Sequence, residues 1–393
     1  MIPKNRIASI DILRALTMYF MIFVNDLWTL RDIPEWLGHA GRGEDRLGFA
    51  DIIFPLFLFI VGLSIPFAFK ARRKKGDSDF QIFQHIFVRS LALIVMGFFM
   101  VNLENINREL LSISKPIYQI LMATAFVFIW NLYPDGKAFK KIPEWVMKVI
   151  GILILIYLAI IYTGGTVENP HWMRPHWWGI LGLIGWAYFM VATLYLLVGS
   201  RLIWLSLLTL LFLFLNIQQE IKPYEGFPDI NIIIGASNYV LVACGLLASV
   251  LYVKLNEKEK IREFLVLMGV LAVVFIAFGI LTRPEWGIKK MGGTPSWSAI
   301  CAGIGFASFG ILYILADILN VRKWASIIGP AGRSTLTCYL VPYFYYGFYS
   351  IIGFSLPLVL RTGYIGIIKS LLFALLIVTI TGGFEKLKIK LKI

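Results

Sequence analysis

Long apolar stretches alternate with short polar connections along the whole chain. They fall near residues 7–30, 48–70, 85–103, 115–133, 144–162, 179–198, 201–217, 231–254, 263–282, 297–320, 324–352 and 363–383. Each is close to the roughly 20 residues a helix needs to cross the hydrocarbon core. The pattern predicts an all-α, polytopic membrane bundle of about 12 helices, with a range of 10–12. The apolar run over 179–217 is too long for one span, and Gly199-Ser200 supplies a turn inside it. Pro342, Gly353 and Pro357 interrupt the last two stretches. No internal repeat or long soluble insertion appears, so residues 1–393 read as one membrane domain.

The connections differ in charge. Lys4 and Arg6, the "KARRKKGD" loop, "DGKAFKKIPEWVMK", "KLNEKEKIR", "NVRKW" and the final "EKLKIKLKI" fall on every second side. Basic loops stay in the cytoplasm, which predicts both termini there. The intervening loops hold His39, then His171 and His176 in "NPHWMRPHWWG", then "NIQQEIKPYEGFPD", then "RPEWGIKKMGGTPS", and face outward.

Composition agrees. The chain is 59% hydrophobic and 15% charged, against about a quarter charged in soluble domains. Its formal charge of +14 is spread over short loops, so it is a topology signal and predicts no nucleic-acid partner. The apolar "MIPKNRIASID" start has no signal-peptide cleavage pattern and is expected to be retained. Cys244, Cys301 and Cys338 lie within apolar runs and read as packing residues. His171 and His176 have no carboxylate or thiol at ligand spacing, and no metal is expected.

Ionisable groups inside spans carry the functional signal. Asp11 and Arg14, at i and i+3, share one face of the first helix. Asn25 and Asp26 follow; Asn25 lies roughly 21 Å beyond Asp11 at 1.5 Å per residue. Asp51 opens the second span, four residues before Pro55, and reads equally as a helix N-cap or as a catalytic carboxylate. Thr294-Pro295 has the form of an N-cap followed by the first helical residue. "IGPAGRSTLTCYL" (328–340) breaks a span, as backbone lining a cavity does.

The run "SIDILRALTMYFMIFVN", a loop histidine and "FADIIFPLFLFIVGLSI" together resemble the membrane core of heparan-α-glucosaminide N-acetyltransferase and its bacterial relatives. "WGILGLIGWAY", "TPSW" and "GPAGRSTLTCY" look like later family segments. The resemblance implies a bacterial plasma-membrane enzyme that moves acetyl from cytosolic acetyl-CoA to the amino group of a glucosamine-type sugar outside. It also suggests a homodimer, and it gives His39 the catalytic role. Residue chemistry fits. Histidine takes a proton near neutrality, Asp51 orients the ring, and Asn25 donates to an oxyanion. An acetylated His39 is the other path open at this stage. Arg14, Arg72 and Arg73 are candidates for the coenzyme phosphates, and Asp26, Lys290, Ser296 and Ser334 for the acceptor. An O-acyltransferase acting on an envelope polysaccharide and a secondary transporter are the alternatives.

Overall fold

The computed structural model describes residues 7–133, 137–138, 142–220 and 232–393. Lys4, Arg6, part of the basic 135–148 segment and most of the 216–229 loop fall outside these residues. The described residues form fourteen α-helices: α1 (Ala8–Asp26), α2 (Ala50–Lys74), α3 (Asp79–Glu104), α4 (Lys115–Trp130), α5 (Glu144–Ile161), α6 (Gly179–Val198), α7 (Leu202–Glu220), α8 (Ala236–Asn256), α9 (Ile261–Leu281), α10 (Arg283–Trp286), α11 (Pro295–Tyr313), α12 (Gly329–Arg333), α13 (Thr335–Ile352) and α14 (Gly363–Lys386). Ten are long and apolar enough to cross a membrane, counting α11 with its continuation to Ile318. The chain is thus a polytopic helical membrane protein. Helix α4 is a shorter apolar helix of 16 residues, and α13 is outside the ten. The stretch expected over 324–352 is not one span. Ser334, at φ −128° and ψ 50°, divides α12 from α13.

Burial sorts the helices into two shells. Every residue from Ala236 to Val250 of α8 is buried, so this helix is central. By contrast, α5 turns Ile152, Leu153, Ile156 and Ile160 outward, as a lipid-facing helix does. Without a hydrophobic drive between helices in lipid, close backbone approach at small residues does the packing. At the α2–α8 crossing a Cβ on Gly62 would stand 2.0 Å from the Val242 carbonyl oxygen, and one on Gly245 would stand 1.9 Å from that of Phe59.

Loop contacts define the two ends of the bundle. At one end, Arg31 N–H donates to Arg361 O, Asn107 N–H to Thr163 O, and Arg46 N–H to Ile288 O. At the other, Lys392 N–H donates to Trp130 O and Lys390 N–H to the Asn131 side chain. The first turn of α1 also lies at this second end. Its unpaired Ala8 and Ser9 amides donate, both at 2.9 Å, to the carboxylate of Asp317, which sits in the π-helical turn Ile314–Ile318.

The α2–α8 contact gives a stability test. Gly62→Ala forces two backbones apart and is expected to cost about 1–3 kcal/mol. Gly269→Ala in α9 meets nothing within 4 Å, so it should be neutral or mildly stabilising. Thermal unfolding of the two variants in detergent checks the contrast; equal midpoints would show that the crossing tolerates a methyl group.

Candidate functional site: a histidine, a carboxylate and a lysine at one end of the bundle

After α1 the chain runs out through Leu27–Thr29 and then folds back, so that Phe49 N–H donates to Trp36 O and Ala50 N–H to Leu37 O. The fold-back needs glycine at 48: a Cβ there would sit 1.8 Å from Gly38 O. Helix α2 starts at Ala50, so Asp51 stands in its first turn and not at the N-cap. Its side chain points back into the loop. Oδ2 accepts from Ala40 N–H at 2.9 Å and Gly48 N–H at 3.1 Å. Oδ1 lies 2.8 Å from His39 Nδ1. The Asp51 side chain is fully buried, whereas that of His39 is 44% exposed. Among the described residues nothing bonds His39 Nε2.

A second loop, 251 residues further on, closes the group. Lys290 Nζ lies 2.9 Å from His39 Nδ1 and 3.5 Å from Asp51 Oδ1. Four anchors hold this loop. Asp45 accepts from Ile288 N–H at 2.6 Å and from Arg283 Nε at 2.9 Å, tying the two loops together. Those two bonds, Ile288 first, hold the Asp45 carboxyl below the usual range. Thr294 caps α11 through Trp297 N–H, as the Thr-Pro pair predicts, and also donates to Gly287 O. Gly293, at φ +65°, passes its carbonyl to Asn216 Nδ2 at 2.7 Å. Burial pushes the Lys290 ammonium below its ordinary range, while the Asp51 charge pulls the other way.

The other expected residues lie apart. Asn25 is half-buried near the C-terminal end of α1. Asp26 is 2% exposed and accepts from Tyr346, Lys369 and Ser370, each at 2.5 Å. Its lone pairs therefore go to α13 and α14. Ser296 is buried against Thr282 at 3.0 Å. Ser334 lies at the opposite end from His39 and donates to Glu385 at 2.6 Å. Arg72 and Arg73 pair with Asp77 and Asp79.

At that opposite end a cavity of about 470 Å³ enters the bundle. Arg14, Arg89, Arg333 and Lys392 contribute its cationic lining; Met18, Met21 and Phe57 belong to its apolar wall. Arg14 donates to Ser64 Oγ at 2.9 Å and to Asp11 at 3.3 Å, which fixes its guanidinium at the wall. Arg14, Met18, Met21 and Asn25 are spaced 4, 3 and 4 residues apart and form one stripe of α1. Reading the chain for loops of positive charge does not find Arg89, but a lone arginine within the apolar run 85–103 is a signal that does. The described residues contain no group of three His, Cys, Asp or Glu side chains arranged for a metal.

Comparison with known proteins bears on this end-to-end arrangement. Residues 6–173 match the sequence profile of the catalytic region of heparan-alpha-glucosaminide N-acetyltransferase. Over that stretch the chain is similar to this enzyme's catalytic region. The mouse heparan-alpha-glucosaminide N-acetyltransferase is 32% identical over 146 residues, covering 34% of this chain and 21% of the mouse protein. The human protein is 33% identical over 101 residues, covering 25% and 14%. The match thus spans about a fifth or less of these curated relatives. It includes α1, His39, Asp51 and Arg89, and it ends well before Lys290.

The geometry gives one direct expectation. Asp51→Asn exchanges an acceptor-only side chain for one that presents an amide NH₂ to four donors. It should loosen the 36–49 loop and cost about 1.5–3 kcal/mol for the charge-assisted bond to His39 alone. Limited proteolysis within residues 38–47 reads it, with the wild-type cleavage rate as the contrary result.

Proposed function

We propose that the protein transfers acetyl from cytosolic acetyl-CoA to the amino group of a glucosamine-type sugar on the outer side of a bacterial plasma membrane. One observation carries this reading. A cation-rimmed cavity opens at one end of the bundle and the His39–Asp51 pair stands at the other, and α1, which runs between these ends, turns Arg14, Met18, Met21 and Asn25 along a single line. From Arg14 to Asn25 is about 16 Å of helix. A ligand with a polyphosphate head and a thin acyl-bearing arm suits such a cavity: Arg14, Arg89, Arg333 and Lys392 meet the head, and the apolar wall meets the arm. The similarity over residues 6–173 supports the same reaction class.

The chain's residues then divide the work. Asp51 holds His39 so that Nε2 faces the acceptor. The amine attacks the thioester carbonyl carbon, and Nε2 takes the amine proton as the N–C bond forms. Asn25 donates to the oxygen that gains the electron pair. When the C–S bond breaks, the imidazolium returns its proton to the sulfur. The products are an amide and a free thiol, and His39 is neutral again.

Purified protein in liposomes, radiolabelled acetyl-CoA and glucosamine test the proposal. An alkali-stable amide is expected; an alkali-labile ester would make the acceptor a hydroxyl, and no product would sink the reading. His39→Ala should lower the rate about 10²–10⁴-fold. Arg89→Ala should raise the KM for acetyl-CoA about ten- to a hundredfold, as loss of a charge-assisted bond does. It should leave the KM for S-acetylpantetheine, which has no phosphate, unchanged; equal shifts for both donors would make Arg89 a packing residue.

A further inference from the structure

Nδ1 of His39 has two neighbours that cannot both hydrogen-bond to it in their ordinary charge states. Asp51 Oδ1 lies 2.8 Å away and Lys290 Nζ 2.9 Å away. A neutral imidazole carries either a proton or a lone pair at Nδ1. With a proton there, the ring donates to Asp51, and an ammonium is left with only the longer contact to Asp51 Oδ1 at 3.5 Å. With a lone pair there, the ring accepts from the ammonium and faces the carboxylate unbonded. Asp51 Oδ1 is the more distant of the two for Lys290, at 3.5 Å, so the ring is the ammonium's nearer partner.

The choice at Nδ1 decides what Nε2 can do. When Lys290 donates to Nδ1, the ring proton sits on Nε2, and the exposed nitrogen cannot take a proton from an amine. When Nδ1–H donates to Asp51, Nε2 presents a lone pair. Resting on the acetyltransferase reading above, we propose that Lys290 is a positioning residue that sets the tautomer of His39 and releases the ring for base catalysis when it loses its proton. The exchange balances. The Lys290 ammonium gives one proton to Nδ1, Nε2–H gives one to solvent, and lysine amine, neutral imidazole and carboxylate remain. This role differs from the acceptor contact that the sequence suggests for Lys290.

The surroundings favour loss of the Lys290 proton over what an exposed lysine allows. Lys290 is faced by Asp51 from α2, by His39 from the 27–49 loop and by the buried Cys301 thiol from α11. Burial outweighs the carboxylate's pull and moves the ammonium below its ordinary range. The bonds through Asp45, Thr294 and Gly293 leave the loop little freedom to carry the side chain away.

Transfer rates from about pH 6 to about pH 10 in the wild type, Lys290→Met and Lys290→Arg test the proposal, alongside ¹⁵N spectra of histidine-labelled protein. The chain has only four histidines, and His39→Gln identifies the signal. The wild-type rate should climb about tenfold per pH unit toward an alkaline plateau, the slope of one proton. Lys290→Met should lose that limb and exceed the wild type near neutrality. Lys290→Arg, charged throughout, should be slow at every pH. The wild-type spectrum should pass from Nε2–H to Nδ1–H as pH rises, and Lys290→Met should show Nδ1–H throughout. Nδ1–H at every pH in the wild type, or an unchanged limb in Lys290→Met, would overturn the proposal. The nitrogen shifts need no substrate, so absence of product in every variant would count against the acetyltransferase reading and leave the tautomer result standing.

Discussion

A carboxylate removed from water at a membrane surface is tolerated only if its charge and lone pairs are met by donors, and Asp51 imposes that condition on everything around it. Its two oxygens draw in the Ala40 and Gly48 amides, the His39 ring and the Lys290 ammonium. The fold-back of the 27–49 loop, the absence of a side chain at Gly48 and the anchoring of the 287–294 loop bring those donors to one point. Removing the anion would leave two backbone amides and an ammonium with no common acceptor. The site is therefore part of how two distant loops fold, and its geometry is fixed before any substrate arrives.

The same requirement recurs at the other end of α1 in a different form. The helix begins with amides that have no partner within the helix, and Asp317 reaches across from α11 to accept two of them. Near the C-terminal end of the helix, Asp26 is bound by Tyr346, Lys369 and Ser370. Carboxylates thus tie α1 at both ends to three other helical segments. A helix held at both ends keeps its stripe from Arg14 to Met21 at a constant bearing to the cavity. For a reaction whose partners enter from opposite sides, alignment of this kind matters more than any single contact.

How much of this was legible in the sequence follows from chain distance. His39 and Asp51 are twelve residues apart beside a glycine and the start of an apolar run, and their pairing was readable there. Thr294-Pro295 announced its helix for the same local reason. The nearness of Lys290 to His39 was not readable, because only the packing of α2 against α11 brings 290 to 39. Arg72 and Arg73 stood out by charge density, yet acidic residues a few positions on hold them in surface pairs. Arg89 is isolated in an apolar helix and lines the cavity instead. Ser296 and Ser334 satisfy helix neighbours. In a chain with this many apolar residues, a short hydroxyl near a helix end is more often answering a local backbone or side-chain need than waiting for a ligand. The break at 334 was visible as Gly, Pro and Gly in sequence, but its outcome, two helices in place of one, depended on Glu385 arriving from α14 to bond Arg333 and Ser334.

Charge is also divided along the bundle. The cavity is lined by Arg14, Arg89, Arg333 and Lys392 and by no Asp or Glu side chain, although Asp11 and Glu385 pair with Arg14 and Arg333 beside it. At the histidine end three cations are matched: Arg283 by Asp45, Arg46 by Glu44, Lys290 by Asp51. An excess of positive charge attracts an anionic ligand, whereas matched pairs hold geometry and draw in little. On the acetyltransferase reading proposed above, the division suits recognition of a polyanion at one end and arrangement of protons at the other. It also explains why a lysine can stand beside the proposed base without serving as an anion site: its charge is already answered by the carboxylate that orients the ring.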